Sequence, residues 1–441
     1  MRHVVMLSPD FPPSGMPPAT RARLFARHLP GYGWKPTVIT TDPAHFAWDV
    51  DEENLRLVPP DLTVVRTGAL PLRLTRFAGF GDIGIRTFWH QWHTLHSLMA
   101  GGGVDCLLVS VPSNYTMLLA RLAHARYGIP YVVDYMDPWV SGSQCRLSGA
   151  HQNWKAALSD VAARSLEPLA LRGVAHIVGV SAGTTRGLLQ RYPWLSSGVI
   201  SEIPFGAEPS DLDYVRAHPR RNAIFDPSDG CTHISYVGAC IPQMYESVCS
   251  IFAAVRLGLR RNPDRFGRVR LHFVGSSYDP RARQGRQILE LARRAGVADI
   301  VDETPTRVPY LDSLQLLLDS HILLLIGSDA PHYTASKIFP CILARRPLLA
   351  VFHRESTVCS ILRETGAGAV VAFGARREPA AEAGRLAEEL DRILALGAET
   401  PPPTDWEAFG RYSARAMTGR LASALDRAVA ARTETPEVLS A

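Results

Sequence analysis

The stretch HVVMLSPDFPPSGMPPATRARLFARHL, residues 3–29, contains the repeating unit of the fold. His3–Leu7 is a short apolar run of the kind that forms a buried parallel strand. Pro9–Pro18 is rich in proline and glycine, and Arg21–Leu29 has the apolar spacing of a helix. The order strand, loop, helix predicts the first unit of a parallel α/β sheet.

The same alternation recurs along the chain in two series. The first predicts strands at Thr37–Thr40, Leu107–Ser110, Tyr131–Tyr135 and Ile177–Val180, with a helix at Tyr115–Tyr127. The second predicts strands at Ile234–Val237, Arg270–Val274, Ile322–Ile326, Leu348–Val351 and Ala369–Ala372, with helices at Glu246–Leu259 and Arg281–Ala295. Two series of this kind predict an α/β protein with two Rossmann-like, doubly wound domains that face a shared cleft.

Composition shifts suggest the domain boundaries. We expect an N-terminal domain at 1–205, a polar, proline-containing linker at 206–231 and a C-terminal domain at 232–400. The segment PPPT at 401–404 precedes an amphipathic helix predicted at 406–430, and 431–441 is a polar tail.

The bulk numbers fit a cytoplasmic globular protein. The 441 residues are 46% hydrophobic and 20% charged, and a net charge of +5 without a polybasic block gives no indication of nucleic acid. Seven cysteines without a Cys-x-x-Cys pair indicate reduced thiols and no structural zinc. The N-terminus lacks the features of a signal peptide, and no apolar run reaches the roughly 18 residues of a spanning helix.

The loop SPDFPPSGMPPATRARLF, residues 8–25, is the first candidate site. Small residues let a backbone approach a ligand, and a helix start favours an anion, which points to Ser14, Gly15 and Thr20. The alternative is a rigid turn that binds nothing. The loop lacks Gly-x-Gly-x-x-Gly, so a dinucleotide site is not indicated.

The second candidate, YVVDYMDPWV, places polar and aromatic side chains directly after a predicted strand. Asp137 is predicted to hydrogen-bond a hydroxyl of the substrate, and Trp139 to stack on a sugar face. The alternative is an Asp cap beside a packed Trp.

The third candidate is GSDAPHYTASKIFPCILARRPLLAVF, residues 327–352. Its residues Thr334–Lys337 open a predicted helix. A lysine beside a helix N-terminus is unfavourable unless an anion such as a diphosphate is bound there. The alternative is a solvated surface Lys337.

Basic and aromatic residues alternate between Leu70 and Met99. This pattern predicts either contact with a lipid headgroup layer or a packed helix with an arginine-coated face. The residues concerned are Arg73, Arg76, Phe77, Phe80, Arg86, Phe88, Trp89 and Trp92.

A series of short motifs follows these candidates in a fixed order: FPP at 11–13 with Gly15 and Arg21, GIP at 128–130, DPW at 137–139, AHIVGVS at 175–181, YP at 192–193, IPFG at 203–206, YVG at 236–238, FVG at 273–275, SKIF at 336–339 and RETGAG at 363–368. In order and spacing they resemble the family 4 glycosyltransferases of the GT-B fold over nearly the whole chain.

The resemblance implies a nucleotide-diphospho-sugar as donor and a hydroxyl acceptor that is a glycan, a lipid-linked molecule or a small molecule. It also implies transfer with retention, no cofactor and no metal, in polysaccharide or glycoconjugate biosynthesis. The C-terminal domain of the family binds the donor, and the final helix packs back on the acceptor-side domain.

Residue by residue, the resemblance assigns Lys337 to the diphosphate as a catalytic group, with Ser336 and Thr334 as donors to it. Gly238, Gly275 and Ser276 let the nucleotide approach, and Ser14 and Gly15 approach the donor phosphate from the other domain. Asp137 and Trp139 take the acceptor, with Asp137 as a catalytic residue.

Two departures favour an alternative function. The loop GACIPQMYES, residues 238–247, carries no base where the family has an Arg and a Lys, and the family's ribose-binding Glu falls at Pro340. The alternatives are a non-catalytic GT-B protein that binds a nucleotide, a glycan or a partner, and a sugar-nucleotide epimerase.

Overall fold

The computed structural model describes residues 1–48, 50–77, 81–140, 154–277, 285–330, 333, 335–397 and 400–433. The chain divides into two compact units. The first comprises Met1–Gly206 with the final helix of the chain, and the second is Ala207–Ser413.

The described part of the first unit begins with seven strands and six α-helices in alternation. The strands are β1 Arg2–Leu7, β2 Trp34–Thr41, β3 Thr63–Thr67, β4 Cys106–Val111, β5 Tyr131–Tyr135, β6 His176–Gly179 and β7 Ile200–Glu202. The helices are α1 Pro17–His28, α2 Leu72–Phe77, α3 Ile83–Ala100, α4 Thr116–Tyr127, α5 Trp154–Leu171 and α6 Ala182–Arg191. Short 3-10 helices lie at Leu29–Tyr32, Pro43–His45, Glu52–Leu57 and Ser197–Val199.

The sheet of the first unit is parallel, in the order β3-β2-β1-β4-β5-β6-β7. The strand order reverses between β1 and β4, which is the defining feature of a doubly wound sheet. Both faces are covered, because Val4 and Met6 of β1 pack in one core cluster and Val5 and Leu7 pack in another. Burial on both faces explains the unbroken apolar run of β1.

The second unit repeats this plan. Its strands are β8 Thr232–Val237, β9 Val269–Val274, β10 Val301–Thr304, β11 Ile322–Ile326, β12 Leu348–His353 and β13 Ala369–Phe373. Its helices are α7 Pro209–Ala217, α8 Tyr245–Arg261, α9 Pro263–Phe266, α10 Gln287–Ala295, α11 Tyr310–Asp319, α12 Ile338–Leu343, α13 Thr357–Thr365, α14 Pro379–Leu396 and α15 Trp406–Gly410, with 3-10 helices at Pro242–Met244 and Ala298–Ile300.

The sheet of the second unit is also parallel and doubly wound, in the order β10-β9-β8-β11-β12-β13. Its strand order reverses between β8 and β11, so the loops after these strands begin at the same edge of the sheet. Ligands of such sheets bind outside the carboxyl ends of the strands near this reversal. This edge is therefore where a functional site is expected in the second unit.

The final helix, α16 Ala414–Thr433, belongs to the first unit. Met417, Leu421 and Leu425 of α16 are buried in the same cluster as Val4 and Met6 of β1. The indole Nε1 of Trp34 also donates a hydrogen bond to Asp426 Oδ1 at 3.2 Å, so α16 completes one face of the first sheet.

Two segments differ from the sequence-based prediction. The segment 206–231, predicted as a linker, contains α7 within the second unit, because Glu208 accepts from the backbone N–H of Ser210 and Pro209 suits the first helical position. The helix predicted at 406–430 is two helices, α15 and α16, separated at 411–413.

Candidate functional site

Two glycines end neighbouring strands of the second sheet in conformations that other residues rarely adopt. Gly238 follows β8 with φ 131°, and Gly275 follows β9 with φ 70°. A Cβ at Gly275 would stand 3.9 Å from the backbone N of Gly238, so the two strand ends lie close together. Both glycines lie at the carboxyl edge of the sheet, where other segments of the chain approach them closely.

The ammonium group of Lys337 lies at the same edge. A Cβ at Gly238 would stand 2.3 Å from Lys337 Nζ, so only glycine leaves room for this side chain. Lys337 Nζ donates to the Tyr236 hydroxyl at 2.8 Å and lies 4.3 Å from the centre of the Tyr236 ring. The contact with the aromatic face is a cation–π interaction.

The pKa of Lys337 is lowered from 10.5 to about 8, chiefly by burial and to a smaller extent by the positive charge of Arg307. The thiols Cys240 and Cys341 act in the opposite direction. A partly dehydrated ammonium gains more from a bound anion than a solvated one does, because charges interact more strongly outside bulk water. The environment of Lys337 thus suits a negatively charged ligand.

The helix that follows Lys337 is short. Lys337 is the N-cap residue of α12, which has only six residues. A helix this short has only a weak dipole, because few peptide dipoles add up in it. The Lys337 ammonium would therefore supply more of the positive charge at a bound anion than the sequence analysis expected. Ser336 is half-buried immediately before it, and Thr334 lies outside the described residues.

The hydroxyl of Ser276 is engaged within the second unit. Ser276 Oγ donates to Glu303 Oε1 at 2.6 Å, and Glu303 Oε2 accepts from the backbone N–H of Leu289 at 2.9 Å. Glu303 is buried in β10. This carboxylate, which the sequence analysis missed, holds the end of β9 against the start of α10.

The loop after β1 in the first unit is tightly bonded internally. Ser14 is buried; its Oγ donates to Asp10 Oδ1 at 3.3 Å and accepts from Trp48 Nε1 at 3.1 Å. Gly15 is exposed, and no atom of the described residues lies within 4 Å of where its Cβ would stand. The hydrogen bonds of Ser14 fit the alternative given above, a rigid turn that binds nothing. Gly15, by contrast, leaves space for a ligand. Thr20 is half-buried within α1.

Asp10 is an ionisable residue of this loop that the sequence analysis did not single out. It is 7% exposed, and burial raises its pKa from 3.8 to about 7, with the nearby charge of Asp82 acting in the same direction. The hydrogen bond from Ser14 opposes this rise only in part. A carboxyl group in the loop that follows the first strand was the available signal for this position.

Asp137 and Trp139 differ in their environments. The Trp139 ring is 9% exposed and packs edge-on against Tyr115, with 5.0 Å between ring centres. Its backbone N–H donates to the Tyr135 hydroxyl at 2.9 Å, and that hydroxyl in turn donates to the buried Glu167. This is the packed Trp of the alternative interpretation, because a covered ring has no free face for a sugar. Asp137, by contrast, is an exposed residue, although its surroundings partly desolvate the carboxyl group and raise its pKa.

Within the second unit, the predicted residues Gly238, Gly275 and Lys337 thus converge on one edge of the sheet. In the part of the chain that the structure describes, no three His, Cys, Asp or Glu side chains are grouped so as to hold a metal ion. No helix of the described ranges is long and apolar enough to cross a membrane.

Residues 18–197 match the family model of the "Glycosyl transferase 4-like domain". No curated protein matches the chain. Among solved structures, the chain is similar to the trehalose-phosphate synthase (UDP-forming) of Burkholderia vietnamiensis, with a TM-score of 0.63 and 12% identity over 98% of this chain and 99% of that one.

Two further structures are similar over comparable lengths. HepE of Anabaena in complex with UDP and glucose has a TM-score of 0.60 and 13% identity, covering 97% of this chain and 100% of its own. A glycosyltransferase of Rickettsia africae has a TM-score of 0.55 and 12% identity, covering 98% and 97%. At these identities the likeness concerns the fold, and the predicted pair of Rossmann-like domains of the GT-B type is confirmed.

Proposed function

We propose that this chain, a divergent glycosyl transferase 4-like protein with the GT-B fold, transfers a sugar from a nucleotide-diphospho-sugar to a hydroxyl acceptor. The observation that carries the proposal is the position of Lys337 Nζ against Gly238 and Tyr236 at the carboxyl edge of the second sheet. Lys337 would bind the diphosphate, and the backbones of Gly238 and Gly275 would leave room for the nucleotide.

The chemistry of transfer fits this arrangement. When the bond to the sugar breaks, negative charge accumulates on the leaving diphosphate. A fixed positive group stabilises that charge most when it is already desolvated and needs no reorganisation, an effect typically worth several kcal/mol. Lys337 meets this requirement because its ammonium is held in place by Tyr236. The half-buried Ser336 would add a hydrogen bond to the phosphate.

The similar structures suggest which class of donor to test first. HepE is bound to UDP and glucose, and the Burkholderia synthase is described as UDP-forming. A uridine nucleotide is therefore the first donor class to test. Retention at the transferred sugar, independence from a metal and a place in glycan or glycoconjugate biosynthesis belong to the same proposal and rest on the family resemblance.

On the acceptor side, we assign the exposed carboxylate of Asp137 to a hydroxyl of the acceptor. Trp139 would act indirectly, since its packing against Tyr115 and its bond to Tyr135 fix the loop that presents Asp137. The open space at Gly15 would accept a ligand group beside the buried Ser14.

We infer from exposed side chains of α2 and α3 that the first unit makes peripheral contact with a membrane from the cytoplasmic side. Leu74 is 71% exposed and Trp89 is 62% exposed, and Arg73 is exposed near Leu74 on α2. Arg86, in contrast, is buried and donates to the Leu70 carbonyl at 2.9 Å, so it belongs to the packed face. The side chains of Arg76, Phe77 and Phe80 lie outside the described residues.

A second candidate function is binding of a nucleotide or glycan without catalysis. Pro340 stands in α12 where the family has its ribose-binding Glu, and residues 238–247 provide no base. Such a protein would be stabilised by a nucleotide sugar but would release no nucleoside diphosphate from it.

The test combines binding with turnover. Thermal shift with UDP-, GDP- and dTDP-sugars identifies the donor, because a ligand that binds only the folded state raises its stability. Release of nucleoside diphosphate is then measured for the wild type, Lys337→Gln and the exposed control Lys35→Gln. We expect Lys337→Gln to lose turnover and Lys35→Gln to keep it. Wild-type turnover by Lys337→Gln would refute the proposed role, and binding without release would establish the second candidate.

A further inference from the structure

The donor site of the second unit needs more positive charge than Lys337 provides. A nucleoside diphosphate carries more than one negative charge near neutral pH, whereas the loop after β8, residues 238–247, contains no Lys, Arg or His. The pKa of Lys337 is itself lowered to about 8 by burial. Any second cation must therefore come from another element at this edge of the sheet.

The end of β10 brings an arginine to the glycines of the site. A Cβ at Gly275 would stand 3.7 Å from the Cα of Arg307 and 3.9 Å from the Cα of Gly238. Gly238 in turn contacts the Lys337 ammonium. The ends of β8, β9 and β10 and the start of α12 thus meet around two glycine backbones, with Arg307 and Lys337 from different segments.

The charges of Arg307 and Lys337 repel each other across this site. The repulsion is seen in the lowered pKa of Lys337, to which Arg307 contributes. The arginine side chain is exposed, so its guanidinium is accessible to a ligand from solvent. An anion that bridges the two groups would convert their repulsion into attraction on both sides.

We propose that Arg307 supplies the second cation of the diphosphate site, replacing the base that is missing after β8. The inference rests on the proposed function, in which Lys337 binds the same diphosphate. A guanidinium is suited to this task because its planar N–H groups match two phosphate oxygens at once.

The test is calorimetric titration of the full chain with UDP, GDP and dTDP, followed by the monophosphate of the tightest binder. The variants are Arg307→Gln, Arg307→Lys, Lys337→Gln and the control Arg293→Gln, which removes a 61% exposed arginine from α10. Loss of charged hydrogen bonds should weaken diphosphate binding by Arg307→Gln about tenfold or more. Arg307→Lys should recover part of the loss, and Arg293→Gln should bind as the wild type.

The outcomes separate the inference from the proposed function. A wild type that binds none of the three diphosphates overturns both. If Lys337→Gln binds weakly but Arg307→Gln binds as the wild type, the diphosphate site stands and the assignment of Arg307 is wrong. If Arg307→Gln lost the same affinity for the monophosphate as for the diphosphate, the assignment of Arg307 would also be wrong, because its contact would then lie elsewhere on the nucleotide.

Discussion

Arg21 of α1 and Asp134 of β5 form an ion pair inside the first unit, with Arg21 Nη2 donating to Asp134 Oδ1 at 2.9 Å and Arg21 Nε to Oδ2 at 2.9 Å. Their side chains are 2% and 0% exposed. Arg21 also donates to the carbonyls of Ile203 and Pro204, so one guanidinium joins α1, β5 and the segment that follows β7.

Removing either partner of this pair should destabilise the protein strongly. Arg21→Met or Asp134→Leu leaves a buried charge without its counter-ion, which costs about 3–5 kcal/mol. The double variant should be less destabilised than the sum of the singles. Urea unfolding measures these free energies, and Arg164→Gln, which breaks an exposed pair with Asp160, should change them by less than about 1 kcal/mol. If the loss of unfolding free energy in the double variant equalled the sum of the two single losses, the predicted interaction between Arg21 and Asp134 would be contradicted.

Gly238→Ala should disrupt the donor site. The new methyl group would stand 2.3 Å from Lys337 Nζ and force the ammonium away from Tyr236. We expect nucleoside diphosphate affinity to fall about tenfold or more, measured by calorimetry. Gly230→Ala is the control, because Gly230 also has a positive φ of 81° but no atom of the described residues lies within 4 Å of its Cβ position. Equal affinities in the two variants would show that the position of Lys337 is unimportant.

His272 should make the protein less stable as the pH is lowered from about 6.5 to 4, a contribution opposite in sign to that of the buried Asp10. Burial lowers the pKa of His272 from 6.5 to about 4, helped by the charge of His233, whose Nδ1 lies 3.0 Å from His272 Nε2. The unfolded chain then binds a proton that the folded one excludes, which costs on the order of 3 kcal/mol at the acid end. The charged groups around His272 are His233, Asp229, Arg270 and Asp302.

The measurement is the free energy of unfolding against pH for the wild type and His272→Phe. The slope between pH 6.5 and 4 should be smaller in the variant, although the similarly lowered pKa of His176 keeps part of it. His93→Gln, which removes an exposed histidine, is the control and should keep the wild-type slope. If the free energy of unfolding of His272→Phe depended on pH as that of the wild type does, this prediction would be wrong.

Asp10→Asn should stabilise the protein at pH 8 but not at pH 3. Burial raises the pKa of Asp10 from 3.8 to about 7, so the folded state loses stability as the pH rises from 3.8 through 7 and the carboxyl group must ionise. A neutral amide avoids this loss, which is about 2–4 kcal/mol. Thermal unfolding of both proteins at the two pH values measures it. A variant that gains nothing at pH 8 relative to pH 3 would contradict the pKa assignment.

Trp89→Ala should weaken binding to anionic vesicles. Trp89 is 62% exposed on α3, and an exposed indole gains free energy in a lipid interface. Co-sedimentation with vesicles of mixed phosphatidylglycerol and phosphatidylcholine should lose most of the bound fraction in this variant. Trp194→Ala removes an indole that is 48% exposed and lies on neither α2 nor α3, and this variant should bind as the wild type. Wild-type protein that stays wholly in the supernatant would rule out the contact.

The central strands were predictable from sequence, whereas three strands were missed. The missed strands are β3, β7 and β10, and each lies at an edge of its sheet. An edge strand pairs on one side only and is less completely covered, so its sequence is short and partly polar, as in ISE and VDET. Periodicity alone cannot separate such runs from loops.

The failure to predict β10 also explains which residues of the candidate site the sequence analysis singled out. Gly238 and Gly275 directly follow strongly apolar strands, and Lys337 directly precedes a helix, so these positions could be predicted from the sequence. Glu303 and Arg307 depend on β10, and without that strand nothing indicated that they approach Gly275. For Trp139 the sequence left two interpretations open, since a tryptophan after a strand has the same sequence context whether its ring is covered or open.

The position of α16 has a consequence for biosynthesis. Its side chains line the same apolar surface as Val4 and Met6, yet the ribosome produces them only after the whole second unit. The second unit is continuous in sequence and can close while the nascent chain is still attached. We expect the first unit to wait, with one side of its sheet only partly covered, and therefore to be the part that most needs a chaperone during translation.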